Sequence, residues 1–316
     1  GRMNWADKKY ALGRGVCSFR GKTPEDTLFV RYVLEMKLPA LLQFAGGSTF
    51  PNLTKDAINN FFVPFPEVRN SIVTILSNYD NLIENNRRRI ELLEESARQL
   101  YKEWFVRFRF PGHEHVKIID GVPEGWERCT ASQALYINPK VAVEKGKEIL
   151  YVPMASLSES QMTVDASKFE HRTKHTTVKF MSGDTLFARI TPCLENGKTA
   201  YVDFLEENQI ACGSTEFVVL RGKKVSNQFA YLLAREENFR GNAIKSMIGS
   251  SGRQRVQPSC FDKYVVPVAP PTIQEQFDEV VGLAFEQISV LSKQINQLEK
   301  ARNLLLPKLM SGEIVV

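Results

Sequence analysis

The chain has 316 residues, 43% apolar and 24% charged, with a formal net charge of +5. That length suits about two domains, and the apolar share suits a core-forming globular protein rather than a disordered one. No apolar run reaches the ~18 residues of a membrane span and no charged-then-apolar leader is seen, so the expectation is a cytoplasmic protein whose mild basic excess permits a polyanionic partner.

In chain order, the first notable stretch is Gly15–Thr23, Gly-Val-Cys-Ser-Phe-Arg-Gly-Lys-Thr. It has one residue too many between its glycines for a phosphate loop, and Pro24 follows directly, so the expectation is a Gly-rich turn between strands. A proline-punctuated apolar strand comes next, Phe61-Phe62-Val63-Pro64-Phe65-Pro66. It leads into a heptad-spaced series: Ile72, Leu76, Tyr79, Ile83, Asn86, Ile90, Leu93, Ala97, Leu100, Trp104. Alternating steps of four and three keep one stripe of a helix turned toward a partner helix. Phe110-Pro111-Gly112-His113-Glu114-His115 ends that helix, because Pro and Gly cannot continue it. Short strands with turn signals follow, among them Ile149–Val152, Thr185–Ala188, Thr199–Val202 and Glu216–Leu220, with a helical stretch at 226–239. A second proline-punctuated strand, Tyr264–Pro267, precedes a second heptad series: Phe277, Val281, Ala284, Ile288, Leu291, Ile295, Leu298, Arg302, Leu305, Leu309.

The two series are in register, so the chain reads as a duplicated unit, each a globular piece followed by a long helix. Ala11-Leu12-Gly13 matches Ala211-Cys212-Gly213, Phe29 matches Phe229, Gly46-Gly47-Ser48 matches Gly249-Ser250-Ser251, and Pro64 matches Pro267. On that alignment the first piece lacks a counterpart of roughly 75 residues, so its start falls inside a domain and leaves strands without partners. The expected divisions are 1–66, an incomplete first domain; 67–108, the first helix; 109–120, a linker; 121–270, a complete second domain; and 271–316, the second helix and tail. The expected fold is α+β: two mixed α/β domains, the first incomplete, separated by two long helices in an antiparallel coiled coil. Its seam is Ile72, Leu76, Ile83, Ile90, Leu93, Leu100, Phe277, Val281, Ile288, Leu291, Ile295, Leu298 and Leu305. Each series spans about 48 Å at 1.5 Å per residue. Asn86 and Arg302 are polar seam positions of the kind that fix register.

Few residues carry recognisable chemistry. Five scattered cysteines with no CxxC pair read as reduced thiols. His113 and His115 lie in a linker, and His171 and His175 have no third ligand, so no metal site is expected. There is no GxSxG elbow, no GxGxxG loop after a strand and no clear carboxylate–lysine cluster, so no catalytic residue is expected. Arg87-Arg88-Arg89 reads as a solvated helix face. What remains is basic loop chemistry. Lys245–Arg255, Lys-Ser-Met-Ile-Gly-Ser-Ser-Gly-Arg-Gln-Arg, carries three cations and no acid. Arginine offers a bidentate fork to guanine, glutamine pairs with adenine, and serine or backbone N–H groups hold phosphates. Ser250, Ser251, Arg253, Gln254 and Arg255 are therefore candidate DNA contacts, with Ser48 and Thr49 at the matching turn. Arg189, Thr191, Asn196 and Lys198 offer the same chemistry, although Asn196-Gly197 reads equally as a hairpin turn.

Further motifs carry a family resemblance. They are Val266-Pro267 with Pro270-Pro271, the Gln274-Glu275-Gln276 helix entry, the Leu304–Ile314 ending, and Phe110–Glu114 followed by Val122-Pro123-Glu124-Gly125-Trp126-Glu127. With the repeated layout, the chain resembles the DNA-specificity subunit of type I restriction-modification systems. That resemblance implies a non-catalytic subunit that binds no cofactor itself and whose two target-recognition domains each read half of a bipartite site in double-stranded DNA. It also implies methyltransferase partners using S-adenosylmethionine, restriction/translocase partners using ATP and magnesium, and no membrane association. The alternative is the C-terminal specificity fragment of a fused restriction-methylation enzyme. The departure from the family pattern is the incomplete first domain, which another specificity chain or fragment could complete.

Overall fold

The computed structural model describes residues 3–6, 8–13, 15–46, 52–144, 146–174 and 176–316. In chain order the helices are α1 (Pro24–Leu42), α2 (Lys55–Asn59), α3 (Arg69–Tyr101), α4 (Ala131–Ala134), α5 (Asn227–Arg235), α6 (Glu237–Lys245) and α7 (Pro271–Ser311). The strands are β1 (Ile118–Ile119), β2 (Val122–Pro123), β3 (Glu127–Thr130), β4 (Leu135–Ile137), β5 (Ile149–Val152), β6 (Glu170–Arg172), β7 (Val178–Met181), β8 (Thr185–Ala188), β9 (Thr199–Tyr201), β10 (Ile210–Gly213), β11 (Phe217–Gly222) and β12 (Val265–Val268). Two compact units divide the chain, residues 1–86 with 293–316, and residues 87–292.

In the first unit, α1 starts where Pro24 was expected to bar a helix. Proline at the first helical position loses no hydrogen bond, because that N–H has no intrahelical acceptor, and its fixed φ already suits the helix. Thr23 supplies the cap by accepting the Asp26 amide at 3.1 Å. The residues of Gly15–Thr23 therefore lead into a helix rather than turn between strands. Phe29, Tyr32 and Val33 of α1 share a buried cluster with Ile72, Val73 and Leu76 of α3 and Leu306 and Leu309 of α7. Further along the pair, Asn86 Nδ2 donates to Gln294 Oε1 at 3.4 Å. As α3 advances, its partners step backward along α7, so the two helices run antiparallel. Arg302 is buried between Glu35, which accepts from its guanidinium, and Asp80, 2.7 Å from its Nε.

The expected strand at 61–66 is not a strand, and neither are residues 11–13. Their counterparts β12 and β10 are strands because β12 pairs with β3, and β10 with β5 and β7. No described residue of the first unit supplies those partners, and a lone extended segment has no ladder to stabilise it. Phe62 is consequently 81% exposed.

The second unit is built on two four-stranded sheets, ordered β6-β5-β10-β7 and β4-β11-β8-β9. Among the described residues only β5 and β10 pair in parallel, with Cys212 opposite Tyr151. Val152, Phe180 and Ala211 of the first sheet meet Leu186, Ala200, Phe217 and Val219 of the second in one core. All of Phe217–Leu220 is buried, because α5 covers the other face of β11. The helical stretch expected at 226–239 is two helices. Glu236 breaks the run with extended backbone, and its carboxylate caps α6 by accepting the amides of Asn238 and Phe239. The helix pair is present here too: the Phe105 ring lies 4.8 Å from both Phe277 and Phe229.

Along α3 the fully buried line passes through Ile72, Leu76, Ile83, Asn86 and Ile90, then through Glu94, Ala97 and Tyr101, leaving Leu93 and Leu100 half-buried. On α7 it passes through Phe277, Val281, Phe285, Ile288 and Leu291, then Arg302, Leu306 and Leu309, with Ile295, Leu298 and Leu305 half-buried. A straight helix drifts about 20° per heptad against a strict 3.5 repeat, so after several heptads the buried line passes to a neighbouring position. In the second unit α3 also meets the globular part, which widens its buried strip.

Candidate nucleic-acid interface

Two loops far apart in sequence meet in the second unit. Residues 189–198 connect β8 to β9, and residues 246–257 follow α6. The Val256 amide donates to Arg189 O at 2.8 Å, the Thr191 amide to Gln254 O at 3.1 Å, and the Gln254 amide to Thr191 Oγ1 at 3.1 Å. Arg255 bridges Ile190 on one side and Ile248 on the other, both antiparallel. The result is a small ribbon whose tip is the turn Gly249–Arg253, closed by the Arg253 amide on Ser250 O at 2.9 Å. Two glycines make the turn possible, with φ of 135° at Gly249 and 74° at Gly252. Each value is costly for a residue carrying a Cβ.

The candidate contacts divide by what their side chains do. Ser250, Ser251 and Arg253 are exposed at the tip, and the Arg253 guanidinium has no partner among the described residues. Gln254 is half-buried, its backbone committed to Thr191. Arg255 is clamped by Glu216: Nε sits 3.0 Å from both carboxylate oxygens and Nη2 2.7 Å from Oε1. That hydrogen bonding raises the Arg255 pKa further above its ordinary value, so the cation is permanent. Arg189 Nη2 donates to Val256 O at 3.2 Å, and Thr191 is buried. Asn196 Nδ2 donates to Glu159 Oε1 at 3.0 Å, and Lys198 Nζ to Met154 O at 3.3 Å. Asn196-Gly197 is no two-residue hairpin turn, since ten residues join β8 to β9. Ser48 and Thr49 lie outside the described residues, as does His175.

Among the described residues no group of three His, Cys, Asp or Glu side chains could hold a metal. The five cysteines are unpaired, and no described helix is long and apolar enough to cross a membrane. Arg87, Arg88 and Arg89 are exposed.

A family profile described as the type I restriction modification DNA specificity domain matches residues 1–95. The MjaIX type I specificity subunit of Methanocaldococcus jannaschii is 27% identical over 318 residues, covering 94% of this chain and 72% of that protein. Over most of its length the chain is similar to the type I restriction-modification specificity subunits. The EcoEI specificity subunit of Escherichia coli is 33% identical over 184 residues, which is 56% of this chain and 30% of its own. The solved type I S subunit from M. genitalium matches 91% of this chain and 74% of its own at a TM-score of 0.52 and 15% identity, a likeness of fold.

Both loops are visible in the sequence, but the residue that fixes their geometry is not. Glu216 is a single acid in the turn before β11, with nothing in its neighbours to announce a clamp on an arginine 39 residues away. Glu94 and Arg235, buried beneath the first loop, also went unnoticed; Glu94 carries a charge at a place the heptad pattern treats as flank.

Proposed function

We propose that this chain is the non-catalytic DNA-reading subunit of a type I restriction-modification complex and that the ribbon of 189–191 with 248–256 reads one half of a bipartite target. The observation carrying this is the ribbon itself. A major groove about 12 Å wide admits a two-stranded ribbon, and this one presents Arg253 at its tip beside Gln254. The partially committed cations Arg189, Lys198 and Arg255 shape the loops that present it.

The likeness to specificity subunits supports the coarser reading that the chain works with methyltransferase and restriction subunits and carries no cofactor itself. In our reading the methyltransferase subunits use S-adenosylmethionine and the restriction subunits use ATP and magnesium, in the cytoplasm where the DNA lies. We divide the chain as 1–66 for the first recognition domain, 67–108 and 271–316 for the helices, 109–120 for the linker, and 121–270 for the second domain. Another specificity chain or fragment is the proposed partner of residues 1–66, a reading supported by the unpaired 61–64 segment and the exposed Phe62.

The test is methylation by the assembled complex carrying Arg253→Ala or Gln254→Ala. A lost bidentate base contact costs about 1–3 kcal/mol, so specificity should relax at one base position. Unchanged rate and unchanged site choice in both variants would show that the ribbon does not read bases.

A further inference from the structure

Beneath the 189–198 loop lies an ionised network that the DNA reading alone gives no task. Glu94 of α3 is 1% exposed. Its Oε2 accepts the Met162 amide at 2.8 Å and its Oε1 the Tyr231 hydroxyl at 2.6 Å. Arg98 lies 3.5 Å away and Arg235 Nε 4.0 Å away. Arg235 ends α5 and is itself buried. Its Nη1 donates to Gly197 O at 2.7 Å and its Nη2 to Ser160 O at 2.5 Å. Gly197 belongs to the limb of the loop opposite Thr191. A Cβ there would stand 2.8 Å from Glu159 O and 2.9 Å from Arg240 Nη1, so the loop backbone is seated directly on this surface.

Carbonyls alone, here those of Gly197, Ser160 and Glu159, cannot balance a buried cation; a carboxylate can, and an uncompensated buried charge is strongly unfavourable. Lysine has a point charge and no fork, so it cannot span these carbonyls in fixed geometry. The loop is therefore held at both ends, at Thr191 by Gln254 and at Gly197 by Arg235 with Glu94 behind it.

We infer that Arg235, charge-balanced by Glu94, is a positioning residue that sets the 189–198 loop against the base-reading ribbon and so ties recognition to helix α3. The inference rests on the proposed DNA reading for its functional half; its structural half is independent.

The test uses Arg235→Lys, which keeps the charge but loses the fork, and Glu94→Gln, which keeps an acceptor oxygen but loses the charge. Both are made in the full chain assembled with methyltransferase subunits. The amides of Thr191, Asn196, Gly197 and Lys198 are hydrogen-bonded within the loop or to the ribbon. Their hydrogen exchange should quicken about ten- to hundredfold in both variants, the scale of one lost buried hydrogen bond, with β8 and β11 amides unchanged. Discrimination at one half-site should fall about tenfold, with the salt dependence of binding little changed because neither substitution removes a cation. Wild-type exchange in the loop of both variants would overturn the inference whatever the DNA result. So would β8 and β11 amides quickening in step with the loop, since the residues would then only hold the fold. Quickened loop exchange with unchanged site choice would overturn the link to base reading. If the wild-type complex itself shows no sequence preference while loop exchange quickens as stated, the DNA reading fails and the positioning role stands.

Discussion

Gly249→Ala and Gly252→Ala, in the same turn, should have different consequences. At Gly252 φ is 74° and a Cβ would meet nothing within 4 Å, so alanine pays only the left-handed backbone cost, about 1 kcal/mol. At Gly249 φ is 135°, farther from any region an L-residue favours, and a Cβ would stand 3.1 Å from Arg253 O and 3.3 Å from Gln254 Cα. Both neighbours are backbone and belong to the turn being formed, so they cannot yield without opening it. The combined cost is about 2–3 kcal/mol, which multiplies the open population of the turn by roughly 30- to 150-fold. Three amides report it directly: Ile248 on Arg255 O, Arg253 on Ser250 O and Arg255 on Ile248 O. Native-state hydrogen exchange should show them quickened by that factor in Gly249→Ala, and by about fivefold in Gly252→Ala. No turn residue belongs to the core shared by the two sheets, so core amides should keep their rates. Equal effects from the two substitutions would refute the argument, because the turn would not be held in the geometry described.

Two further outcomes follow from buried charge. Arg302→Met should weaken the first unit by about 2 kcal/mol, below the usual 3–5 for a broken buried pair. Asp80 would keep the Tyr32 hydroxyl at 2.8 Å and Arg31 at 3.2 Å, and Glu35 is partly exposed. Faster exchange of α1 amides is the measurement, and unchanged or slower exchange would mean that the charge cluster specifies register without stabilising. Asp278, half-buried against α5, has its carboxyl pKa raised by burial, only partly opposed by the Ser226 hydroxyl that donates to it at 2.6 Å. A raised folded-state value means stability is present at low pH and lost as pH rises through that value. Asp278→Asn should therefore melt higher than wild type at neutral pH and level with it near about pH 3. A gain that is the same at both pH values would count against the assigned cause.

The helix pair was legible because its signal is periodic and local: an apolar residue every three or four positions states which face is buried without reference to anything distant. Its finer course was not. Glu94 replaces Leu93 on the buried line because its partners, Met162 and Tyr231, come from the globular part, 68 and 137 residues away. The two basic loops were legible by composition, but their pairing depends on strands that bring Thr191 beside Gln254. The strand expected at 61–66 fails for a related reason. Apolar residues flanked by prolines describe a segment able to pair, whereas β12 is a strand because β3 lies beside it. Pro24 misled in the opposite direction, since a helix breaker in the interior is a helix starter at the first position.

The central claim is that this chain reads DNA in two parts and catalyses nothing. Its most direct test is to map methylated bases in DNA from a host expressing the chain with its methyltransferase subunits. The account predicts modification at a sequence of two specified segments separated by an unread gap, with Arg253→Ala relaxing a position in one segment and leaving the other intact. Modification at a single uninterrupted sequence, or at the same sites in the variant as in wild type, would contradict it.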